Sequence, residues 1–334
     1  MAAMLERAAA VEPPRERFTF RQAALRRSFA EDVRQGLSKP QKELQPWYFY
    51  DALGSALFAA ICELPEYYIT RAETEILRRH GASIARALRD PERIIELGSG
   101  DGRKTSLLLD AVIARQPRLT YVPIDVDDAV LEASARNLLS SFPGLHVDAI
   151  RGDYRDLPSL IIPAPRTVVL FLGSSIGNLD PQSGAAMLRE VRRTLATGNA
   201  LFLGADLQKP KSIVEPAYND SLGVTAAFNL NMLARINREL GGHFDLAGFE
   251  HRAFLNESES RIEMHLVSRA RQTADVEVLQ MEVRLERGET IHTENSYKYS
   301  ESDLLTLARE GGFEIEQSWT DSRKWFADLL LVAR

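Results

Sequence analysis

The sequence predicts an α/β fold: a doubly wound, mostly parallel sheet, preceded by a helical segment and interrupted by a β-rich insertion. Three observations lead to this prediction. Between residues 93 and 206, short apolar strands alternate with helices of about 10–15 residues, as right-handed crossovers in a parallel sheet require. One strand, Thr167–Leu172, is almost continuously apolar, as expected when both faces of a sheet are covered. The alternation stops at residue 207 and resumes at residue 300.

The chain before the sheet divides into two parts. Residues 1–17 contain Pro13-Pro14 and are expected to be frayed. Residues 18–90 are predicted to be mostly helical, most clearly over Arg71–Leu88, where apolar residues recur with helical spacing.

The predicted sheet and its helices follow one another in a regular order. The strands are Ile94–Leu97, Leu119–Ile124, Val147–Ile150, Thr167–Leu172 and Ala200–Gly204. The helices between them are Lys104–Ile113, Asp128–Leu139 and Gln182–Leu195. We therefore predict one unit formed by residues 18–206 and 300–334, comprising the helical segment and the sheet.

Residues 207–299 interrupt this order and are predicted to be a substrate-binding insertion of mixed α and β structure. Val224–Leu240 has a helical pattern. The extended segments are His251–Leu255, Arg261–Val267, Val276–Leu285 and Thr290–Tyr299. Ser300 and Asp303 then form a capping-box pattern that opens a helix, Gly311-Gly312 closes it, and Phe313–Trp319 and Ala327–Ala333 are predicted as a final strand pair.

The composition argues against several classes of protein. The 334 residues carry a net charge of −6, without the basic footprint of a nucleic-acid-binding protein. No apolar run approaches the ~18 residues of a membrane span, and the N-terminus lacks a signal core, so a cytoplasmic protein is expected. The one cysteine, Cys62, excludes an intrachain disulfide and is interpreted as a small core residue. The six histidines show no HxxxH pairing, so we expect no metal site.

The glycine-rich turn Glu96–Gly102 (ELGSGDG) lies between a strand and a helix, where backbone N–H groups commonly bind nucleotides. A dinucleotide fingerprint fails because Arg103 stands where the third glycine should be. In a P-loop, G-x-x-x-x-G-K-[ST], Lys104-Thr105 would stand at the right distance from Gly98. The motif also fails, because Arg103 stands where its second glycine should be.

The remaining interpretation is E-x-G-x-G-x-G, which resembles the turn of class I S-adenosylmethionine-dependent methyltransferases of Rossmann-like fold. Glu96 would then face the cationic methionine part of the cofactor. Asp125, after the next strand, would accept from ribose hydroxyls, and Asp153, after the third, from the adenine amino group. The alternative for Asp125 and Asp153 is a capping or turn residue.

A closer resemblance covers the chain from about residue 30 to its end. It is carried by Phe49–Asp51, Leu64–Tyr68, Glu96–Gly100, Phe171–Leu179, Gly223–Asn229 and Thr293–Ser296. These segments resemble, in the same order, the L-histidine Nα-methyltransferase family of ergothioneine biosynthesis. The resemblance implies S-adenosylmethionine as cofactor and L-histidine, trimethylated on its α-amine to hercynine, as substrate. We further expect a monomer without nucleic-acid or membrane partners.

The resemblance also implies two sets of site residues. The substrate would be bound by Tyr50, Tyr67, Gly173, Asn178, Tyr218, Met264, Glu294 and Ser296. The cofactor would be bound by Tyr67, Glu96, Gly98, Gly100, Lys104, Asp125 and Asp153. Asn178 and Tyr218 correspond to the pair that binds the substrate carboxylate. Tyr50 and Asn178 are the residues expected to be catalytic.

Glu294 and Ser296 correspond to the pair that hydrogen-bonds the imidazole. Two residues apart on a strand, they point to one face, and a carboxylate with a hydroxyl suits two ring nitrogens. From the pattern alone, a solvated strand face continued by Lys298 is the alternative. Two other functions also stay open here: a methyltransferase for another amino acid, and a cofactor-binding protein without activity.

Overall fold

The computed structural model describes residues 17–23 and 28–333. The expectation of a frayed N-terminus therefore lies, apart from Arg17, outside the described residues. Arg17 itself donates to the carbonyls of Phe142 and Pro143, both at 3.0 Å, and so anchors the beginning of the described chain beside a crossover helix.

The segment before the sheet is mostly helical, as predicted. Its helices are α1 (Phe29–Leu37), α2 (Ala52–Glu63) and α3 (Tyr68–Ala87). The prediction is wrong at its start, where Phe18–Gln22 forms strand β1, parallel to the edge of the sheet. The alternation of Phe18, Thr19 and Phe20 suits a strand, and only pairing with a distant strand stabilises five residues in this form. A second short strand, β2 (Lys42–Glu43), was also not predicted.

The large sheet has eight strands within the described residues, in the order β1-β5-β4-β3-β6-β7-β14-β13. The remaining seven are β3 (Arg93–Leu97), β4 (Leu119–Asp125), β5 (Leu145–Arg151), β6 (Thr167–Phe171), β7 (Ala200–Asp206), β13 (Phe313–Thr320) and β14 (Phe326–Ala333). All pairs from β1 to β7 are parallel. The last strand, β14, runs antiparallel between β7 and β13, which confirms the doubly wound, Rossmann-like sheet.

Helices connect these strands across both faces. They are α4 (Arg103–Ile113), α5 (Asp128–Ser141), α6 (Leu157–Leu160), α7 (Pro181–Thr194) and α10 (Glu301–Glu310). Ser300 and Asp303 cap α10 with the predicted capping box. The strand order reverses at β3, which has β4 on one side and β6 on the other. Ligands of such sheets bind outside the carboxyl ends of the strands at this reversal.

Residues 207–299 contain three of the four strands of one small sheet, a second sheet of two strands, and two helices, α8 (Lys211–Val214) and α9 (Val224–Leu240). The first sheet has the order β2-β12-β9-β8, with β8 (Phe249–Asn256), β9 (Arg261–Ser268) and β12 (Thr290–Tyr297). Because β2 pairs with β12, the segment before the large sheet and the insertion share this small sheet.

The second small sheet is the hairpin β10 (Gln272–Val276) and β11 (Met281–Leu285). The predicted single extended segment Val276–Leu285 is therefore wrong. A 3-10 turn at Glu277–Leu279 and a left-handed Gln280, with φ of 47°, reverse the chain inside it.

In the described part of the chain, no helix combines the length and apolar character needed to cross a membrane.

Candidate active site

The turn after β3 is built from left-handed glycines. Gly98, Gly100 and Gly102 have φ of 69°, 52° and 69°, a conformation that costs a residue with a Cβ. A Cβ built on Gly98 would lie 3.6 Å from the Tyr154 ring, whereas one on Gly100 would meet nothing within 4 Å. The turn therefore presents open backbone at the carboxyl end of β3.

Asp125 lies against this turn, at the end of the neighbouring strand β4. Its Oδ2 accepts from the amide of Gly100 at 2.9 Å, and its Oδ1 accepts from the amides of Val126 and Asp127. Burial raises the pKa of this carboxyl, and the backbone hydrogen bonds oppose that rise. The structure thus brings together Asp125 and the glycine turn, two parts of the predicted cofactor site.

Asp153, after β5, already has a charged partner. Its Oδ1 accepts from Nε of Arg155 at 2.8 Å and from that residue's amide at 2.9 Å, and its Oδ2 bonds the same guanidinium. The guanidinium in turn lies 3.6 Å from the ring centroid of Trp47, which reaches it from the segment before the sheet. The predicted contact of Asp153 with adenine stays a prediction, and Trp47 is a neighbour that the sequence did not indicate.

The side chain of Glu96 lies in the protein interior, beneath the glycine turn. It is 2% exposed, and both carboxylate oxygens accept from the hydroxyl of Thr105 at 2.7 Å. The hydroxyl of Tyr121 also donates to it. Burial raises the pKa of Glu96 to about 7, against the effect of these hydrogen bonds. Its predicted contact with a methionine moiety stays a prediction, because the protein itself satisfies both oxygens.

Lys104, in the first turn of α4, forms an ion pair with Glu73 of α3, whose side chain is fully buried. Its ammonium lies beside Gly173, where a built Cβ would stand 3.1 Å from Nζ. Lys104 therefore contacts the loop after β6, and its predicted contact with the cofactor stays a prediction.

That loop carries Asn178 toward the small sheet. Asn178 ends the 3-10 turn Ser175–Asn178, and its side chain is near enough to the carboxylate of Glu294 on β12 to lower the pKa of that group. Burial raises the pKa of Glu294 to about 7, against the effects of the positive charge of Lys298 and of the Asn178 side chain. The predicted carboxylate-binding and imidazole-binding residues thus lie side by side.

Three buried side chains on the same side form a closed triangle. The hydroxyls of Tyr218 and Ser296 lie 2.7 Å apart, and the ammonium of Lys298 donates to them at 2.9 and 2.8 Å. Lys298 is 3% exposed, and it also pairs with Asp206 at 2.7 Å. The alternative of a solvated strand face is therefore wrong.

A β-bulge decides which side chains of β12 face this cluster. The register of β12 with β9 shifts between His292, which is opposite His265, and Glu294, which is opposite Met264. Without the extra residue, positions 292 and 294 would share a face. With it, Glu294 joins buried Met264 on one face, while the rings of His292 and His265 stack on the other at 4.7 Å.

Aromatic rings lie between the predicted substrate side and the predicted cofactor side of the site. Phe58 of α2 makes edge contacts with Tyr50 at 5.5 Å and Tyr67 at 6.1 Å, and Tyr67 packs at 6.3 Å on Tyr218. Burial raises the pKa of Tyr50, and the charges of Glu294 and Asp125 add to the rise. Tyr50 is therefore near both the predicted substrate side and the predicted cofactor side.

On the opposite face, Glu263, His265 and His292 place their ligand atoms within 4.8 Å of one another, a grouping that the sequence analysis did not anticipate. Arg261 donates to Glu263 Oε1 at 2.8 Å, and the two imidazole planes differ by only 18°. Lone pairs of stacked rings do not converge on one point, and a neighbouring guanidinium repels a cation. The grouping suits a hydrogen-bonded stack better than a metal centre.

Sequence reasoning missed Glu73, Asp206, Lys298 and Phe58. Asp206 carried a usable signal, since an acidic residue ends the apolar strand β7 as Asp125 ends β4. Lys298 was visible only as the third member of an alternating polar run. Nothing in the helical pattern of α3 marks Glu73 as different from Glu75, which is half-buried and pairs with Arg79.

The residues around the glycine turn fit an S-adenosylmethionine molecule. The hydroxyl of Ser99 is buried and has no partner among the described residues. Gly100 faces open space, and the carboxylate of Asp125 lies beside it. A ligand with ribose hydroxyls and an amino-acid tail can hydrogen-bond with this set of donors and acceptors.

Comparisons with known proteins identify the family of the chain. A family model described as histidine-specific methyltransferase, S-adenosylmethionine-dependent, matches residues 29–333. The histidine N-alpha-methyltransferase of Mycolicibacterium smegmatis is 43% identical over 298 residues, which cover 89% of this chain and 91% of that protein. Ergothioneine biosynthesis protein 1 of Schizosaccharomyces pombe is 29% identical over 296 residues, 85% of this chain and 38% of that longer protein. A solved S-adenosylmethionine-dependent methyltransferase from Clostridium acetobutylicum aligns with a TM-score of 0.43 and 11% identity, over 77% of this chain and 92% of that one.

Proposed function

The chain belongs to the histidine-specific, S-adenosylmethionine-dependent methyltransferases, and from this premise we propose that it methylates the α-amine of L-histidine three times. The product would be the betaine hercynine, and the reaction the first step of ergothioneine biosynthesis. The similarity to a histidine N-alpha-methyltransferase and to an ergothioneine biosynthesis protein supports both statements.

One observation carries the proposal furthest. The half-buried carboxylate of Glu294 and the buried hydroxyl of Ser296 lie on one face of β12, beside Asn178 and Tyr218 respectively. Acceptors and donors for an imidazole and for a carboxylate are thus next to each other. Tyr50 lies between this group and Asp125, which borders the glycine turn. Free histidine has both of these groups on one small molecule.

The cofactor side is formed by the glycine turn and Asp125, which would hold S-adenosylmethionine. When bound there, this cofactor supplies an electrophilic methyl group on its sulfonium. The reaction is a direct displacement, so the chain needs no covalent intermediate. Its main task is to align the amine with the methyl group, which lowers the barrier through orientation.

The substrate side orients the amine. Asn178 and Tyr218 would hold the α-carboxylate, and Glu294 and Ser296 the ring, so that both ends of histidine are fixed. Gly173, with φ of 73°, supplies the turn that brings Asn178 into place. Tyr67, Phe58 and Met264 would line the pocket with apolar surface beside the reacting amine.

The amine must be neutral to attack, because only then does nitrogen carry a lone pair. Burial raises the pKa of Tyr50, so its phenol stays protonated at neutral pH and is not a strong base. We infer that the Tyr50 oxygen accepts a hydrogen bond from the amine in the first two transfers, when the neutral nitrogen still has an N–H, and so helps to aim its lone pair. Each proton that the amine loses leaves to solvent. The dimethylated amine has no N–H, so the contacts to the carboxylate and the ring orient it in the third transfer. After three transfers the nitrogen is quaternary, no lone pair remains, and the reaction stops.

We also propose the remaining features of the enzyme. Residues 207–299 act as the substrate-binding insertion, since they contribute Tyr218, Met264, Glu294 and Ser296. We propose a monomer, and a net charge of −6 without a basic footprint supports an enzyme that needs no nucleic-acid partner; we propose no membrane partner either. Both substrates are metabolites of the cytoplasm, where we expect the reaction to take place.

A single incubation tests the proposed function. The protein is mixed with L-histidine and saturating S-adenosylmethionine, and the products are identified by mass spectrometry. We expect trimethylated histidine, and no product from histamine, which lacks the carboxylate, or from phenylalanine, which lacks the ring nitrogens. The absence of any methylated histidine would refute the proposal, and preferential methylation of another amino acid would redirect it.

A further inference from the structure

Every hydrogen of the Lys298 ammonium has an acceptor in the structure. The three acceptors are Asp206 Oδ2 at 2.7 Å, Tyr218 Oη at 2.9 Å and Ser296 Oγ at 2.8 Å. A lysine ammonium has three donors and no acceptor. Lys298 therefore has no hydrogen left for a ligand and acts only through these three neighbours.

The ammonium is held in its charged form. Burial lowers the pKa of Lys298, but the adjacent Asp206 carboxylate and the Tyr218 hydroxyl outweigh this effect and raise it. Asp206 is itself completely buried, and the hydroxyl of Tyr68 donates to it at 2.7 Å. Lys298 is thus a permanent, immobile positive charge behind the two hydroxyls.

A count of hydrogens shows what this arrangement does to Tyr218 and Ser296. Each of their oxygens accepts one hydrogen from Lys298, and the two hydroxyls share a further hydrogen bond at 2.7 Å. One of their two hydroxyl hydrogens is used between them. The pair therefore has a single hydrogen to donate to a ligand, from a position set by the ammonium.

We propose that Lys298 is a positioning residue that sets the specificity of the substrate pocket, by orienting the Tyr218 and Ser296 hydroxyls toward the substrate. This inference rests on the proposed function, since it treats histidine as the ligand. A pocket with fixed donors and acceptors rejects a ligand that leaves them unpaired, which is how polar sites achieve high selectivity. The loss of Lys298 would leave the two hydroxyls free to rotate and to pair with each other in either sense.

Lys298 also influences Glu294, through its charge rather than through a hydrogen bond. Glu294 faces Lys298, the residue that directly follows its own strand, Asn178 from the loop after β6, and the hydroxyls of Tyr50, Tyr67 and Tyr218. Among these neighbours Lys298 is the positive charge, and it lowers the pKa of Glu294 against the effect of burial. Removal of the ammonium should therefore shift the ionisation of Glu294 to higher pH.

The chain contains a matched control for the test. Lys209 is as buried as Lys298 and pairs with the other oxygen of Asp206, at 2.5 Å. Its other hydrogen bonds go to the hydroxyl of Tyr68 and the backbone carbonyl of Leu207, and it does not hydrogen-bond Tyr218 or Ser296. Lys209→Met thus removes a second buried lysine from the same carboxylate without touching the two hydroxyls.

The experiment compares Lys298→Met, Lys209→Met and the unmodified protein with histidine and with phenylalanine at pH 6 to 9. For Lys298→Met we expect kcat/KM for histidine to fall about 100-fold, mainly through KM, as the loss of hydrogen bonds to a charged group predicts. The preference for histidine over phenylalanine should fall, and the acidic limb of kcat/KM should move to higher pH. Lys209→Met should retain the preference and the pH profile.

Two further variants guard against misinterpretation. In Lys298→Met/Ser296→Ala, the two losses should be less than additive, because Lys298 acts through Ser296. If Lys298→Met does not fold, Lys298→Arg keeps the charge but not the three divergent hydrogen bonds. It should lower the preference for histidine while leaving the pH profile in place.

The outcomes separate this inference from the proposed function. If the unmodified protein does not methylate histidine, the proposed function fails. If it does, but Lys298→Met and Lys209→Met show the same preference and pH profile, then Lys298 only stabilises the fold and the inference fails.

Discussion

The backbone amide of Gly173 donates to the buried carboxylate of Glu73, at 2.9 Å from Oε1. The same carboxylate pairs with Lys104, in the first turn of the helix that follows the glycine turn. Glu73 therefore connects the substrate loop to the helix beside the cofactor turn. It does so from α3, the helix whose N-cap is Tyr67.

Glu73→Gln should destabilise the protein, because it leaves Lys104 partly buried without its counter-charge. Breaking a buried ion pair costs about 3 kcal/mol, which urea denaturation at pH 7 would measure. Glu132→Gln, which removes an exposed i,i+4 pair with Arg136, is the control and should be indistinguishable from the unmodified protein. Equal stabilities for Glu73→Gln and Glu132→Gln would contradict the connecting role.

Asp125→Asn should weaken S-adenosylmethionine binding without unfolding the protein. The amide keeps one acceptor for the neighbouring backbone but loses the charge and an acceptor, so we expect affinity to fall about 10-fold or more, as for a hydrogen bond to a charged group. Isothermal titration calorimetry measures this directly. Asp128→Asn, three residues along and exposed, should bind as the unmodified protein does; a comparable loss there would indicate a general charge effect.

Asn178→Ala should impair histidine turnover while cofactor affinity stays the same. The substitution removes the amide next to Glu294 and the proposed donor to the substrate carboxylate. A loss of about 1.5–3 kcal/mol corresponds to a 10- to 150-fold fall in kcat/KM. Steady-state kinetics and cofactor titration on the same sample decide the matter, and an unchanged kcat/KM would remove Asn178 from the site.

The pH dependence of KM for histidine should report the ionisation of Glu294. Its pKa of about 7 means that the carboxylate becomes a charged acceptor as the pH rises through neutrality, so KM for histidine should fall between pH 6 and 8. Glu294→Gln has no such transition. Since the substrate titrates identically in both experiments, the ratio of the two KM values isolates Glu294, and a ratio that does not vary with pH would exclude this assignment.

The stability of the ligand-free protein should also depend on the ionisation of Glu294. A rise in pH that improves histidine binding should lower this stability. The folded-state pKa lies above the ordinary value of 4.5, so the folded state binds the proton more tightly than the unfolded state. The resulting stabilisation is full below pH 4.5 and is lost as the pH rises toward 7. Denaturation at pH 5 and pH 8 should therefore show Glu294→Gln gaining stability relative to the unmodified protein at the higher pH. A constant difference would mean that Glu294 is not buried in the free protein.

Most of the large sheet was predictable because local patterns determine it. Continuous apolar strands such as Thr167–Phe171, separated by helices with their own caps, have few alternative arrangements. The errors fall where local pattern and long-range pairing disagree. Strand β1 exists only because it pairs with β5. The turn between β10 and β11 depends on a left-handed conformation at Gln280, a residue type that does not indicate such a turn as glycine would.

The site shows the same division. The glycine turn and Asp125 are adjacent to strand ends, so the order of strands alone indicates that they meet. Glu294 and Ser296 were recognised through resemblance, because a polar residue on a strand has no pattern that separates a buried face from a solvated one. The bulge at Thr293, which turns Glu294 away from His292, leaves no mark in the sequence.

By itself, the sequence determined the class of fold, the cofactor turn and the family, because strand periodicity, glycine spacing and ordered motifs are properties of neighbouring residues. The tertiary structure alone decided that Lys298 is buried among Asp206, Tyr218 and Ser296, and that Glu73 joins Gly173 to Lys104. These contacts link residues far apart in the chain. Whether a charged side chain is solvated or paired depends on which distant groups packing brings against it, and local pattern does not contain that information.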